Sequence, residues 1–156
     1  MIRRVARPML ASLFLVSGYD AVQDPSGRAA VAGPFLGKIA PALKLPQDQQ
    51  LLVRLNGAAM LAGGAMLATG RMPRLACTLL AGTLVPTTLA GHPFWEQTDP
   101  TERAAQRTQF AKNVALLGGL LLGAADTAGK PGLAWRAGRA KDAARRKVAS
   151  AQESLR

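Results

Sequence analysis

The sequence has few of the residues from which most enzyme active sites are built. It contains one cysteine, Cys77, and one histidine, His92, which excludes an intrachain disulfide and a multi-cysteine metal site. Only 4% of its residues are aromatic, and nine acidic residues stand against 20 basic ones. It has no glycine-rich phosphate loop, nucleophile elbow or paired-carboxylate motif. We therefore expect no metal site and no catalysis by this chain alone.

The basic residues flank long uncharged stretches. Residues 55–70 and 75–95 contain no Asp, Glu, Lys or Arg, whereas residues 130–156 hold eight basic residues against two acidic ones. A net charge of +11 would suit nucleic-acid binding if the basic residues alternated with aromatic ones. Basic residues that border apolar runs are instead typical of membrane topology. We expect a lipid bilayer as the main partner and no nucleic acid.

Four segments approach the length of a membrane-spanning helix, which needs about 20 mostly apolar residues. They are residues 5–23, 50–70, 73–92 and 107–127. A soluble bundle is the alternative, but these segments are apolar on all sides, and a small soluble bundle could not bury them. The sequence therefore predicts an all-α, four-transmembrane-helix bundle over residues 1–129. A basic C-terminal helix or tail follows at 130–156.

Orientation follows from the positions of the basic residues. Three regions are basic and would share one side of a four-span bundle: the start of the first span, the second connection and the tail. The first two contain Arg3, Arg4, Arg7, Arg71 and Arg74. The positive-inside rule therefore predicts a multi-pass plasma-membrane protein with both termini cytoplasmic. The first span also resembles a secretory signal, but we expect it to be retained. Loops 24–49 and 93–106 would then face outward.

Small residues recur at the spacing that lets membrane helices approach closely. Gly119 and Gly123 form a GxxxG motif. The same spacing recurs in the second span as Ala58–Ala62, Ala59–Gly63 and Gly64–Ala68. These patterns predict tight helix packing.

Two further features concern proline. Pro86 frees a backbone carbonyl inside the third span, and the hydroxyl of Thr83 or Thr87 is expected to satisfy it. The first outer loop is expected to form an amphipathic piece on the membrane surface, interrupted by two prolines. Its apolar face comprises Val31, Phe35, Ile39 and Leu43.

Three motifs in order resemble the DoxX family of small four-helix membrane proteins. They are "NGAAMLAGGAMLATGRMPR" at 56–74, "GHPFW" at 91–95 and "QFAKNVALLGGLL" at 109–121. "SGYDAV" in the first span is a looser match, and the basic tail lies outside the resemblance. The resemblance implies a bacterial membrane protein. It also implies an association with redox assemblies, since family relatives are linked to thiosulfate:quinone oxidoreduction and to an oxidative-stress oxidoreductase complex.

Polar residues gather near the predicted outer ends of the spans: Asp20, Arg54, Asn56, His92, Lys112 and Asn113. In one interpretation they form a structural clasp, with Asp20 as the partner of Lys112 or Arg54. In another, they form a pocket for a lipophilic molecule with a polar head, such as a quinone. Histidine and lysine could donate to a quinone carbonyl, and histidine can exchange a proton near neutral pH. In a third, the lysine simply snorkels to the interface.

Trp95 completes the candidate site. It is expected to lie in the interfacial aromatic belt, with stacking on a quinone ring as the alternative. The leading functional interpretation is a membrane subunit or scaffold of a quinone-linked, oxidative-stress assembly, with protein partners. Its competitors are a lipid or cell-envelope accessory protein with no redox role and a small-solute carrier. The tail could bind anionic lipid or a cytoplasmic partner.

Overall fold

The computed structural model describes residues 2–126, together with 135, 138–143 and 145–146. All regular secondary structure in this part of the chain is helical. The elements are α1 (Ile2–Gln23), α2 (Ser26–Ala42), α3 (Gln49–Ala68), α4 (Pro73–Gly91), a 3-10 turn (Phe94–Glu96) and α5 (Pro100–Ala125).

Local sequence explains where the helices begin. Asp48 caps α3 by accepting a hydrogen bond from the Leu51 amide at 3.0 Å, and Asp99 accepts one from the Glu102 amide of α5 at 2.8 Å. A connection of four residues joins α3 to α4, and it turns through left-handed backbone at Gly70 (φ 70°) and Met72 (φ 46°). Proline then suits the first position of α4 because it has no amide hydrogen to satisfy.

Neighbouring helices run antiparallel and meet at glycines. The tightest crossing joins α1 to α3: a Cβ on Gly18 would lie 2.7 Å from the Gly57 carbonyl oxygen. A Cβ on Gly63 would meet Leu80 of α4, and one on Gly123 would meet the Cys77 sulfur. Helix α1 thus packs on α3, α3 on α4, and α4 on α5. At each of these crossings a glycine, which has no side chain, allows the two helices to approach closely.

The buried core lies along these crossings. Its largest fully buried side chains are Phe14, Leu67, Leu80 and Leu120. Leu120 is the only buried residue of α5, so that most of this helix faces outward. We call the end of the bundle where α4 stops the His92 end, and the opposite end, where α1 starts, the Arg7 end.

Two expectations about helix packing need correction. In the predicted GxxxG pair only Gly123 meets a neighbouring helix, because Gly119 faces open space. Ala58 and Ala62 are both exposed. The glycine positions depend on which face of each helix is covered, and spacing alone does not determine that.

The expectation about Pro86 is also wrong. Its missing amide frees the Gly82 carbonyl, four residues earlier. The hydroxyls of Thr83 and Thr87 donate instead to the carbonyls of Leu80 (2.9 Å) and Thr83 (2.8 Å). Both follow the usual habit of helical threonine, which bonds the carbonyl three or four residues before it.

The first long connection contains a helix. Helix α2 continues through Pro34 and contacts α3 and α4 with a side that buries Ala29 and Ala40. The predicted apolar stripe does not supply those buried residues: Val31 and Leu43 are exposed, and Phe35 and Ile39 are half-buried.

Before α2, two hydrogen bonds from Ser26 lower the pKa of Asp24 and favour its ionised form. Their contribution is lost as the pH falls through that lowered pKa.

Among the described residues, two helical segments are long and apolar enough to cross a membrane, Gln49–Ala68 and Pro73–Glu96. The chain also divides into two units, residues 1–125 and 126–156. In the second unit, residues 135, 138–143 and 145–146 are helical, and the Arg139 guanidinium lies 4.9 Å from the centre of the Trp135 ring. The predicted boundary at 129/130 and the predicted end of the fourth span at 127 lie outside the described residues.

Candidate functional site

The clearest candidate site is a cluster of polar and aromatic side chains at the His92 end. We define the His92 cluster as His92, Phe94, Trp95, Gln106 and Phe110. The first three follow the end of α4 through the 3-10 turn, and the last two lie one turn apart on α5. The structure therefore supports the inclusion of His92 and Trp95 in one local group.

Gln106 holds the imidazole of His92. The Nδ1 atom of His92 lies 2.7 Å from Oε1 of Gln106, and both side chains are half-buried. An amide oxygen can only accept, so Nδ1 carries the hydrogen, and in the neutral imidazole Nε2 then keeps its lone pair. Within the described part of the chain, Nε2 makes no hydrogen bond. His92 is therefore oriented by the fold and has one nitrogen available to an outside donor.

Three aromatic rings pack together, and two of them belong to residues that closely follow this histidine in sequence. The ring centres are 5.1 Å apart for Phe94 and Trp95, 5.3 Å for Phe94 and Phe110, and 5.9 Å for Trp95 and Phe110, all edge to face. Trp95 stays 48% exposed, so one side of its indole is open. The cluster thus presents an aromatic surface beside a hydrogen-bond acceptor.

Asn56 lies deeper and joins α3 to α4. Its amide donates to Thr87 Oγ1 at 3.1 Å and lies 3.5 Å from the sulfur of Met60. Asn56 is seven residues into α3, about 10 Å along the helix axis. This side chain has a structural partner and fixes the register of the two central helices.

The predicted clasp between Asp20 and Lys112 or Arg54 is wrong. Asp20 pairs with Arg28 of α2 at 3.3 Å, and Arg28 also donates to the Ser17 carbonyl at 2.7 Å. Helix α1 packs on α3, while α5 packs on α4, so Asp20 and Lys112 lie on helices without an extensive shared surface. The partner of Asp20 comes from the next helix in the chain. The resulting pair ties the start of α2 to the end of α1.

The remaining predicted residues do not form a common site with Asp20. Arg54 and Lys112 are exposed and have no hydrogen bond or ion pair to other described residues. Asn113 is half-buried on the side of α5 that also carries Gln106 and Phe110, and in the described chain its amide has no partner. Ligand contact or snorkelling therefore remains open for Lys112, whereas the clasp does not.

Sequence reasoning did not assign Gln106, Phe110 or Arg28 to the site, and it gave Thr87 a different partner. A signal existed for two of them: positions 106, 110, 113, 117 and 120 recur at helical spacing and form the packed side of α5. The predicted start of the fourth span at 107 left Gln106 outside the helix. The observed start at Pro100 places it two turns inside.

Comparison with known proteins agrees with this architecture. The DoxX family model matches residues 3–93, more than half of the chain. The chain belongs to the DoxX family. The match includes all but the first residue of α1, which the sequence motifs had suggested only loosely, and ends at Pro93, before the motif at 109–121.

DoxX membership together with two apolar helices identifies a membrane protein. Neither a curated protein nor a solved structure matches the chain. The DoxX region contributes His92 to the cluster, while Trp95 and the residues of α5 follow it in sequence.

Proposed function

We propose that this DoxX protein is a subunit or scaffold of a redox-linked assembly in the bacterial plasma membrane, and that it contacts a quinone at the His92 cluster. The observation that carries the proposal is the oriented imidazole of His92 beside an open indole. A quinol hydroxyl can donate to the free Nε2 of His92, and the headgroup ring can lie against Trp95. The bound group would supply the redox chemistry, and the chain would bind and orient it.

The residues around the cluster fit this kind of molecule. Phe94 and Phe110 exclude water from one side of Trp95, and Asn113 adds an unpartnered amide on the same side of α5. A quinone joins a polar ring to a lipid-soluble tail, so its site is expected where polar and apolar surfaces meet. The His92 end has this character, because the polar residues of the cluster lie there and uncharged stretches of the helices continue from it into the bundle.

We further propose four membrane spans formed by α1, α3, α4 and α5. Helices α1 and α5 have 22 and 26 residues, or about 33 and 39 Å, against about 30 Å for a hydrocarbon core. Their outward sides carry large apolar residues that lipid would cover, including Val5, Met9, Val16 and Leu122. Helix α2 would lie on the outer surface, and both termini would be cytoplasmic.

Cysteine labelling tests this topology. In a Cys77→Ala background, we expect a membrane-impermeant maleimide to label Gln97→Cys in intact cells but to label Ala140→Cys only after the membrane is permeabilised. The first position follows the 3-10 turn, and the second lies in the basic tail. Labelling of position 140 alone in intact cells would contradict the orientation.

Native mass spectrometry of the detergent-purified protein tests the proposed ligand. We expect a co-purifying quinone whose occupancy falls in His92→Leu. That variant removes the hydrogen-bond acceptor and leaves an apolar side chain in its place. Leu89→Ala, a change at an exposed residue two positions before the end of α4, is the control for general lipid loss. Retention of phospholipid alone, equal in both variants, would favour a lipid accessory protein without a redox role.

A further inference from the structure

The Arg7 end of the bundle holds an arginine that has no hydrogen bond or ion pair among the described residues. The side chain of Arg7 is half-buried, and its Nη1 atom lies 3.2 Å from the position that a Cβ on Gly70 would occupy. Arg7 makes no hydrogen bond or ion pair with the rest of the described chain. A guanidinium remains charged and carries five N–H donors, so partial burial without an acceptor is unfavourable. An anion at this position would satisfy the group.

Two more arginines stand near this position, on the connection that Arg7 touches. Arg71 follows Gly70 directly and is exposed. Arg74 donates through Nε to the Ala124 carbonyl at 2.8 Å, which brings the end of α5 to the same place. That contact stabilises the negative end of the α5 dipole and leaves the two Nη atoms of Arg74 unused within the described chain.

The spanning helices supply no counterion at this end. Residues 1–19, 49–95 and 103–125 contain no Asp or Glu. In the described ranges of these helices, the carboxylates of Asp20, Asp48 and Asp99 belong to the opposite end. The carboxylate that follows α5 directly is Asp126, which has an interaction of its own. The three guanidinium groups from two segments therefore outnumber this carboxylate.

We propose that Arg7, Arg71 and Arg74 form a binding site for the phosphate of an anionic phospholipid headgroup. A guanidinium matches two phosphate oxygens with two parallel hydrogen bonds, which a lysine cannot do. The acyl chains would lie along the exposed apolar side chains of Met72 and Leu75, which stand beside Arg71 and Arg74 in sequence. The site then combines positive charge with an apolar surface at the level of the lipid headgroups. This combination favours a lipid over a free anion. The site is separate from the His92 cluster and independent of quinone binding.

The test compares two arginines of the same helix. Full-length protein would be placed in nanodiscs with phosphatidylglycerol or phosphatidylcholine, and tightly retained lipid would be counted by native mass spectrometry. We expect selective retention of phosphatidylglycerol, with affinity lowered about tenfold in Arg7→Gln, the size expected for loss of a charged hydrogen bond. Arg4→Gln removes the same charge from an exposed position and should retain the lipid.

Two further measurements keep the outcome decisive. Arg71→Gln alters an exposed connection residue that has no hydrogen bond or ion pair in the described chain, so it should weaken phosphatidylglycerol retention even if Arg7→Gln unfolds. Inorganic phosphate at the same concentration should not displace the lipid. Equal retention in Arg4→Gln, Arg7→Gln and Arg71→Gln would overturn the site, and displacement by inorganic phosphate would show a free-anion site instead of a lipid site.

Discussion

Gly18→Ala is expected to cause a large loss of stability for the addition of a single methyl group. The new Cβ would lie 2.7 Å from the Gly57 carbonyl oxygen and 3.0 Å from the Leu61 amide nitrogen. Both atoms belong to the backbone of α3, so neither can rotate away as a side chain would. Relief requires α1 and α3 to separate along the most extensive helix contact of the bundle. We expect a cost of about 1–3 kcal/mol, typical of an overpacked core.

The matched control is Gly118→Ala on α5. A Cβ there meets nothing within 4 Å, so the substitution adds only the preference of alanine for helix. We expect no change or a gain of up to about 1 kcal/mol. Thermal unfolding of both proteins in the same detergent measures the difference. An equal fall in melting temperature in the two variants would contradict the crossing of α1 and α3 at Gly18 and Gly57.

Gln106→Leu is expected to weaken quinone binding about tenfold, the effect of losing one half-buried hydrogen bond that orients a ligand group. The substitution keeps helix and volume but removes the acceptor that fixes Nδ1 of His92 at 2.7 Å. The imidazole can then rotate, and its Nε2 is no longer held for a quinol hydroxyl. Isothermal titration with a water-soluble quinol analogue in detergent gives the dissociation constant.

Gln109→Leu is the control for that measurement. Gln109 lies on the same helix, three residues further along, and is exposed. Its substitution should leave the dissociation constant unchanged. Equal weakening in both variants would indicate a general effect on α5. No effect in either would show that the contact between His92 and Gln106 does not support binding.

The helical fold could be predicted from sequence because hydrophobic runs of this length have few alternatives. The positions 50–70 and 73–92 agree closely with α3 and α4, since charges and turn residues bound them sharply. The boundary of α5 was harder to predict. Its first two turns are polar and lie above the apolar run, so hydropathy placed the start at 107 and not at Pro100.

Side-chain partners were less predictable because they depend on which helices are neighbours. Asp20 and Lys112 lie at a similar predicted distance from the outer membrane surface, and the sequence offered no further information about which side chains would meet. The packing order α1, α3, α4, α5 separates them, and the helix within the long connection brings Arg28 to Asp20. His92 could be identified because it lies near the predicted outer end of the third span, in the motif at 91–95. Its partner Gln106 required knowledge of where α5 begins.

The central claim is that a quinone headgroup binds beside Trp95, and the fluorescence of that residue tests it most directly. The sequence has two tryptophans, so Trp135→Phe leaves Trp95 as the single reporter, 48% exposed at the His92 end. We predict saturable quenching of Trp95 emission by a quinone analogue, because the bound ring would contact the indole. Its midpoint should shift to higher concentration in Gln106→Leu. Quenching that rises linearly without saturation, and equally in the variant, would show collision from the detergent phase and contradict the proposed site.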